Sequence, residues 1–256
     1  MKSRLLRRAL TATLLAGLST AALAHQPWLL TEPGRTEVGA SVTVMPFHGH
    51  EFPFDDAMRP ERIAEIVLLT ADGERISIDG PDRITPELSE GVHAIGLRQV
   101  RSYWSRTTEG GRAQPRPELE NVISCSYSDN SAKTLVIVGN GQASAGGQAL
   151  GHRLEILTDA DLGQLRPGDA VSFTVLLEGS PHAGPVMAFH ANSGEDPWLT
   201  TESDHNGHVE FTLEGPGPWM VLARGEVDYP DPAVCDVERF VSTLSFGHTS
   251  VDAAAR

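Results

Sequence analysis

The sequence predicts an all-β protein: two antiparallel β-sandwich domains after a cleaved signal peptide. Short apolar or alternating runs recur along the chain from Thr36 onward. Gly- and Pro-rich turns separate these runs, and no segment keeps a helical period. Runs of this length and spacing are typical of strands in β-sandwiches. The 256 residues are enough for one large domain or two small ones.

Residues 1–24 have the composition of a secretory signal. Four basic residues lie before a largely apolar run from Ala9 to Leu23, and Ala22-Leu23-Ala24 has the small-x-small pattern that signal peptidase reads. We therefore expect cleavage after Ala24, a mature chain that starts at His25, and a periplasmic or secreted protein. The pair Arg7-Arg8 leaves the twin-arginine route open, although the residues around it do not complete that motif.

Composition and charge exclude several classes of partner. Hydrophobic residues make up 40% of the chain and charged residues 21%, as in soluble globular proteins. Loss of the basic signal would take the net charge from −14 to about −18, which disfavours nucleic acid and anionic lipid surfaces. After processing, no apolar run reaches the roughly 18 residues that a membrane span needs.

The two cysteines, Cys125 and Cys235, predict one disulfide. An even, minimal pair in an oxidising compartment is usually bonded. By closing a long loop, the bond would stabilise the folded state by about 4–5 kcal/mol on the chain-entropy model. A thiolate metal site is the alternative, but the CxxC-like spacing that such sites use is absent.

The first half contains a clear hairpin. Ile63–Thr70 and Arg75–Asp79 are β-branched or alternating, and a turn with the sequence Ala-Asp-Gly-Glu separates them. Further strands are predicted around Val38–Val44, from Gly91 to Trp104 and at Leu135–Val138. The Gly- and Ser-rich run from 139 to 147 is the most linker-like part of the chain, so domains are predicted at 25–147 and 148–250.

The second half repeats this β pattern with strands at 154–156, 171–177, 185–189, 209–213, 220–223 and 241–246. Its turns and strands resemble those of prealbumin-like modules in exported proteins, at Gly179–Val186, Asp204–Phe211 and Gly217–Val221. The resemblance concerns the fold and implies no chemistry.

The polar residues that best suit a metal ion are His48, His50 and Glu51. Histidines at i and i+2 share one face of a strand, and Glu51 adds a neighbouring carboxylate. Imidazole suits Ni, Co, Cu and Zn. A surface or packed pair of histidines at a strand end is the structural alternative.

Cleavage after Ala24 would add a further chelating residue. An N-terminal His25 offers its α-amine and its ring Nδ1 to one metal ion, and the amine loses its proton near pH 8. Pro27 has no amide N–H, so a site built from successive deprotonated backbone amides is excluded. A brace that uses the amine and ring of His25 with a second imidazole remains open.

The other histidines favour structural roles. His205 and His208 lie on a predicted hairpin turn, and His190 ends a predicted strand from which it could reach a site between domains. The sequence has no G-x-S-x-G, no HExxH and no phosphate-binding glycine loop, so no enzymatic activity is expected.

Several motifs together resemble the exported nickel-uptake-transporter family. They are Ala24–Leu29, Gly49–Pro53, Arg59–Ile63, Tyr103–Thr107 with Glu109-Gly110, Ala132-Lys133, Gly151–Ile156 and Gly217–Trp219. The resemblance extends from His25 to about Phe246. It implies a periplasmic metal-binding protein that accompanies a membrane nickel or cobalt importer, with His25 and His50 at the family's histidine positions.

Two further functions remain open at this stage. An N-terminal-His copper protein, either a chaperone or an oxidoreductase acting on polysaccharide, would use the same His25. A structural or carbohydrate-binding sandwich would use no metal at all. Imidazole-rich sites follow the general divalent series, so the sequence does not choose among nickel, cobalt, copper and zinc.

Overall fold

The protein is almost wholly β in the computed structural model, which describes residues 25–79, 83–141, 147–162, 165–191, 194–215 and 217–247. Across these ranges there are strands, two short 3₁₀ turns (Pro60–Arg62 and Arg116–Glu118) and no α-helix, which confirms the all-β prediction. No helix within them is long and apolar enough to cross a membrane. The predicted signal peptide, residues 1–24, lies outside the described residues, as does most of the predicted linker.

The strands that precede residue 140 are β1 (Gln26–Glu32), β2 (Arg35–Thr36), β3 (Thr43–Gly49), β4 (Ile63–Leu69), β5 (Arg75–Ser77), β6 (Gly91–Gln99), β7 (Ser102–Thr107), β8 (Gly110–Arg112) and β9 (Val122–Val138). The predicted hairpin forms as β4 and β5. The strand predicted from residue 91 is divided into β6 and β7. The strand predicted around 38–44 starts only at Thr43, after Gly39 takes a φ of +84°.

The later strands are β10 (Leu154–Leu157), β11 (Ala170–Leu177), β12 (Ser180–Pro181), β13 (Pro185–His190), β14 (Leu199–Glu202), β15 (His208–Thr212), β16 (Trp219–Asp228) and β17 (Val237–Phe246). Each of the six strands predicted in this half overlaps one of them.

Three sheets form within the described part of the chain. The largest runs β14-β13-β16-β17-β9-β6-β4-β5, with β2, β7 and β8 attached beside β9. A second sheet joins β10, β11, β12 and β15, and β1 pairs with β3 in the third. Strand β9 pairs antiparallel with β6 and parallel with β17, so the largest sheet takes strands from both predicted domains. The division at 147/148 stays a prediction.

Strand alternation lets the largest sheet bury side chains on both faces. In β16, Val221 and Ala223 face the β10–β11–β15 sheet, whose core includes Phe173. Met220 and Leu222 face the other way and pack with Trp28 and Leu30 of β1. The structure is therefore a β-sandwich with the β1–β3 sheet as an additional layer.

The predicted disulfide forms between Cys125 and Cys235, with the Cα atoms 4.9 Å apart. Cys125 lies near the start of β9 and Cys235 just before β17. The bond therefore joins the two strands where their parallel pairing begins, at Ser126 and Val237.

Candidate functional site

The ladder between β1 and β3 brings three predicted metal ligands together. These strands are antiparallel, with Pro27 opposite His48. Two residues further back in the same register, His25 lies opposite His50. Residues in this alternation share one face, and the rings are close: the centroid of His25 is 5.2 Å from that of His48 and 4.2 Å from that of His50.

The opposite face of the same two strands anchors them. Trp28 is fully buried, and its indole Nε1 donates a hydrogen bond of 2.8 Å to the carbonyl of Pro53. Phe52 packs in the same cluster as Trp28. The core thus holds both β1 and the loop that follows His50, which fixes the strands that carry the imidazoles.

Asp55 shapes this loop. Its Oδ2 accepts hydrogen bonds from the backbone N–H groups of His50, at 2.7 Å, and Glu51, at 2.9 Å. The Glu51 bond is the largest cause that lowers the pKa of Asp55. A Cβ on Gly49 would lie 2.0 Å from the same carboxylate oxygen, so the loop requires glycine there. The Glu51 side chain is exposed, and among the described contacts only its backbone joins this network.

His48 is held as a neutral ring. Its side chain is buried, and burial is the main cause that lowers its pKa to about 4, with the charge of Arg62 next. Arg62 Nη1 lies 3.2 Å from Nδ1 of His48. Because guanidinium can only donate, Nδ1 is the acceptor and the ring proton lies on Nε2.

The donor types of this cluster fit a divalent transition metal. Within the described ranges, however, no group of three or more His, Cys, Asp or Glu side chains stands in ligand geometry. The nitrogen of His25 is still an amide bonded to Ala24 in the full chain, so the amine that the brace requires does not yet exist. Arg62 also occupies one ring nitrogen of His48. A metal at Nε2 would require the proton to leave and Arg62 to move.

The remaining histidines considered from the sequence lie elsewhere. His205 and His208 are exposed at the predicted turn, where Asp204 accepts hydrogen bonds from the backbone of Asn206 and His208. The ring of His190 packs at 4.5 Å from that of Trp219, which is buried as core.

A second polar cluster was not predicted from the sequence. Lys133 Nζ lies 2.9 Å from Glu155 Oε1, and both side chains are almost fully buried. Glu155 also accepts hydrogen bonds from the backbone N–H groups of residues 150, 151 and 152. Beside it, burial lowers the pKa of His152 to about 4. His152 and Glu155 line a cleft of about 320 Å³, and Lys133 lies behind them.

Two residues of the histidine site also escaped the sequence analysis. Arg62 belongs to one of the motifs that carry the family resemblance, but its contact with His48 spans the loop between β3 and β4. Asp55 could have been suspected as a loop-forming carboxylate, because it follows a Gly-His-Glu-Phe-Pro run.

The fold and this site define an all-β sandwich protein with a cluster of imidazoles at one end of a two-stranded sheet. Residues 22–227 match the model of the family described as Domain of unknown function (DUF4198), so the chain belongs to that family. No curated protein matches it. Nothing in these matches links the chain to nickel uptake.

Some solved structures align over most of the chain. The D0-D1 domain of Intimin is 13% identical, with 87% of this chain and 98% of that one covered and a TM-score of 0.22. The mouse coronavirus receptor-binding domain, complexed with its murine receptor, is 10% identical, with coverages of 88% and 100% and a TM-score of 0.22. Clostridium thermocellum CbhA fibronectin(III)-like modules are 9% identical, with coverages of 88% and 92% and a TM-score of 0.21. Scores this low carry no argument about fold or function.

Proposed function

We propose that the exported, processed protein binds a divalent transition metal at its N-terminus and delivers nickel or cobalt to a membrane importer, without catalysing a reaction. The observation that carries this proposal is the convergence of His25, His48 and His50 on one face of β1 and β3. His25 is 23 and 25 positions from His48 and His50 in the sequence, and the strand register brings their rings together.

The proposed ligands follow from the chemistry of each residue. His25 would chelate through its α-amine and Nδ1, and His50 would supply a third nitrogen. His48 or Glu51 would complete the site. The neutral state of His48 supports this, since a metal competes with protons for imidazole nitrogens. The net charge of about −18 that the processed chain would carry also favours the approach of cations.

Export and architecture form part of the same proposal. Signal cleavage after Ala24 creates the amine, so the site would be completed only in the periplasm or outside the cell. Residues 25–147 would form the metal-binding sandwich, and residues 148–250 an Ig-like or prealbumin-like sandwich that shares its largest sheet.

The test is calorimetric titration of two forms of the protein with nickel, cobalt, copper and zinc. One form starts at His25, and the other carries one additional alanine before His25. The brace predicts one-to-one binding by the first form and an affinity at least about 100-fold lower for the second, which loses the amine and its chelate.

A histidine outside the cluster provides the matched control. His205→Ala removes an exposed imidazole and should leave the affinity unchanged, whereas His50→Ala should lower it. Equal binding by the two N-terminal forms would rule out the brace and place the site on His48 and His50. Absence of binding by both forms would overturn the metal function.

A further inference from the structure

The hairpin formed by β7 and β8 presents an exposed tryptophan. Trp104 has 55% of its surface exposed. Its indole lies against the backbone of Gly111 in β8: a Cβ on Gly111 would be 2.1 Å from Cζ2 of the ring. The hairpin thus supports the indole where one glycine leaves room, and the remaining ring surface faces solvent. A large aromatic surface held in this way is a typical recognition element.

The neighbours of Trp104 on the same face are mostly serines. Along the ladder between β7 and β9, Ser102 lies opposite Ser128, Trp104 opposite Ser126 and Arg106 opposite Ser124. Alternate residues share a face, and Ser102 and Ser124 are exposed on it. Ser126 is buried, and its Oγ donates a hydrogen bond to the backbone carbonyl of Trp104. Serine is depleted in protein–protein interfaces, so this composition favours a partner that is rich in hydroxyl groups.

Arg106 adds an available positive charge to this face, although the chain as a whole carries a net charge of −14. It is exposed, and within the described residues no carboxylate forms an ion pair with it. The nearby Arg101 and Arg116 differ, since they pair with Asp129 and Asp236. Arg106 is two residues from Trp104, which places their Cα atoms about 7 Å apart on the strand. A carboxylate on a ring stacked at Trp104 would be within reach of the guanidinium.

We propose that Trp104, Arg106 and the serines beside them bind an acidic oligosaccharide, a sugar chain that carries uronate carboxylates. The C–H groups on one side of a pyranose ring stack on the electron-rich face of the indole. The exposed Ser102 and Ser124 exchange hydrogen bonds with ring hydroxyls, and Arg106 forms a charge-assisted hydrogen bond with a carboxylate. This site shares no residue with the histidine cluster, so it does not depend on the proposed metal function.

The experiment is calorimetric titration of the full mature protein with three probes. They are tetragalacturonate, its methyl ester, which has the same rings without charge, and a tetraglutamate peptide, which has the charge without rings. We expect tetragalacturonate to bind and its ester to bind about tenfold more weakly, the effect of one charge-assisted hydrogen bond. Tetraglutamate should not bind measurably.

Four variants separate the contributions. Trp104→Ala should weaken binding of tetragalacturonate by about tenfold or more. Gly111→Ala should do the same without unfolding the protein, because the new methyl group would displace an exposed side chain rather than backbone. Arg106→Gln should remove the preference for the acid over its ester. Arg112→Gln is the control: it removes the same charge from the same hairpin, but its strand partner Ser105 lies on the opposite face.

Three results would overturn the proposal: no binding of tetragalacturonate at millimolar concentration, unchanged affinity in a folded Trp104→Ala variant, or equal binding of tetraglutamate. The last of these would indicate an acidic polypeptide as the partner. His50→Ala should leave saccharide binding unchanged, so failure of one proposal does not count against the other.

Discussion

His48 and His152 have the same lowered pKa of about 4, yet their surroundings differ. His152 lies beside a buried ion pair, and the carboxylate of Glu155 is saturated by Lys133 and by three backbone N–H groups. His48 lies beside two other imidazoles, and its described side-chain hydrogen bond is to the exposed Arg62. Burial alone therefore does not define a functional histidine. The difference lies in whether neighbouring donors and acceptors already satisfy one another.

The largest loss of stability should come from breaking the buried ion pair between Lys133 and Glu155. Glu155→Ala leaves the buried Lys133 without its counter-charge and three backbone N–H groups without an acceptor. We expect the free energy of unfolding to fall by about 3–5 kcal/mol, measured by urea denaturation.

The exposed carboxylate of Glu178 offers the matched control. Glu178 pairs with Arg153 at the rim of the same cleft, with its side chain 62% exposed. Glu178→Ala should cost less than about 1 kcal/mol. Equal costs for the two substitutions would contradict the structural role of the Lys133–Glu155 pair.

Acid should weaken the fold through both histidines. The unfolded chain takes up a proton near pH 6.5, whereas folded His152 does so only near pH 4. Stability therefore falls as the pH falls from about 6.5 to 4, by about 1 kcal/mol per pH unit for each such histidine. His152→Gln should flatten this slope without abolishing it, because His48 keeps its own share. Urea denaturation at a series of pH values measures the slope, and an unchanged slope would contradict the assignment.

Nickel affinity should depend on the cluster of His25, His48 and His50 and not on His152. In the form that starts at His25, His50→Ala should lower nickel affinity by about 10- to 100-fold, because one imidazole ligand is lost. His152→Ala should leave that affinity unchanged while it lowers stability. Calorimetry and denaturation of the same two variants test both halves of this statement, and the reverse pattern would move the metal site to the cleft.

The smallest change in nickel affinity should come from substitution of Arg62. Arg62→Gln removes a positive charge and a donor that competes for Nδ1 of His48, so nickel affinity should rise by a few-fold. Arg59→Gln removes another exposed charge beside the same 3₁₀ turn and serves as the control. A decrease in affinity for Arg62→Gln would indicate that Arg62 supports the site rather than competing with the metal.

The sequence was sufficient to predict the features that follow from local residue patterns and from a single pair of cysteines. The β class, the β4–β5 hairpin and the disulfide all follow from alternation, turn residues and paired cysteines. The grouping of His25 with His48 and His50 was also predicted, although β1, which places His25 there, was not recognised as a strand. Strand β1 is anchored because its Trp28 packs against β13 and β16, which lie far along the chain.

The sequence was insufficient for β9, of which only Leu135–Val138 was predicted. Residues 122–134 carry many polar side chains, which weaken the usual strand pattern. In the structure several of these side chains are buried against distant partners: Lys133 meets Glu155, and Ser131 lies near Ser242. A strand whose polar residues are satisfied by partners more than 20 positions away leaves no local signal of its burial.

The parallel pairing of β9 with β17 has a consequence for the order in which the chain can fold. β17 begins at Val237, far along the chain from the end of β9 at Val138, yet it lies directly beside this long central strand. During synthesis or translocation, more than 100 residues after β9 must therefore emerge before all of β17 is available to pair with it. Such distant pairing slows folding and leaves a strand edge open to wrong partners. A chain interrupted before residue 237 would leave unpaired the edge of β9 that faces β17, while β6 and β7 would still pair with the other edge.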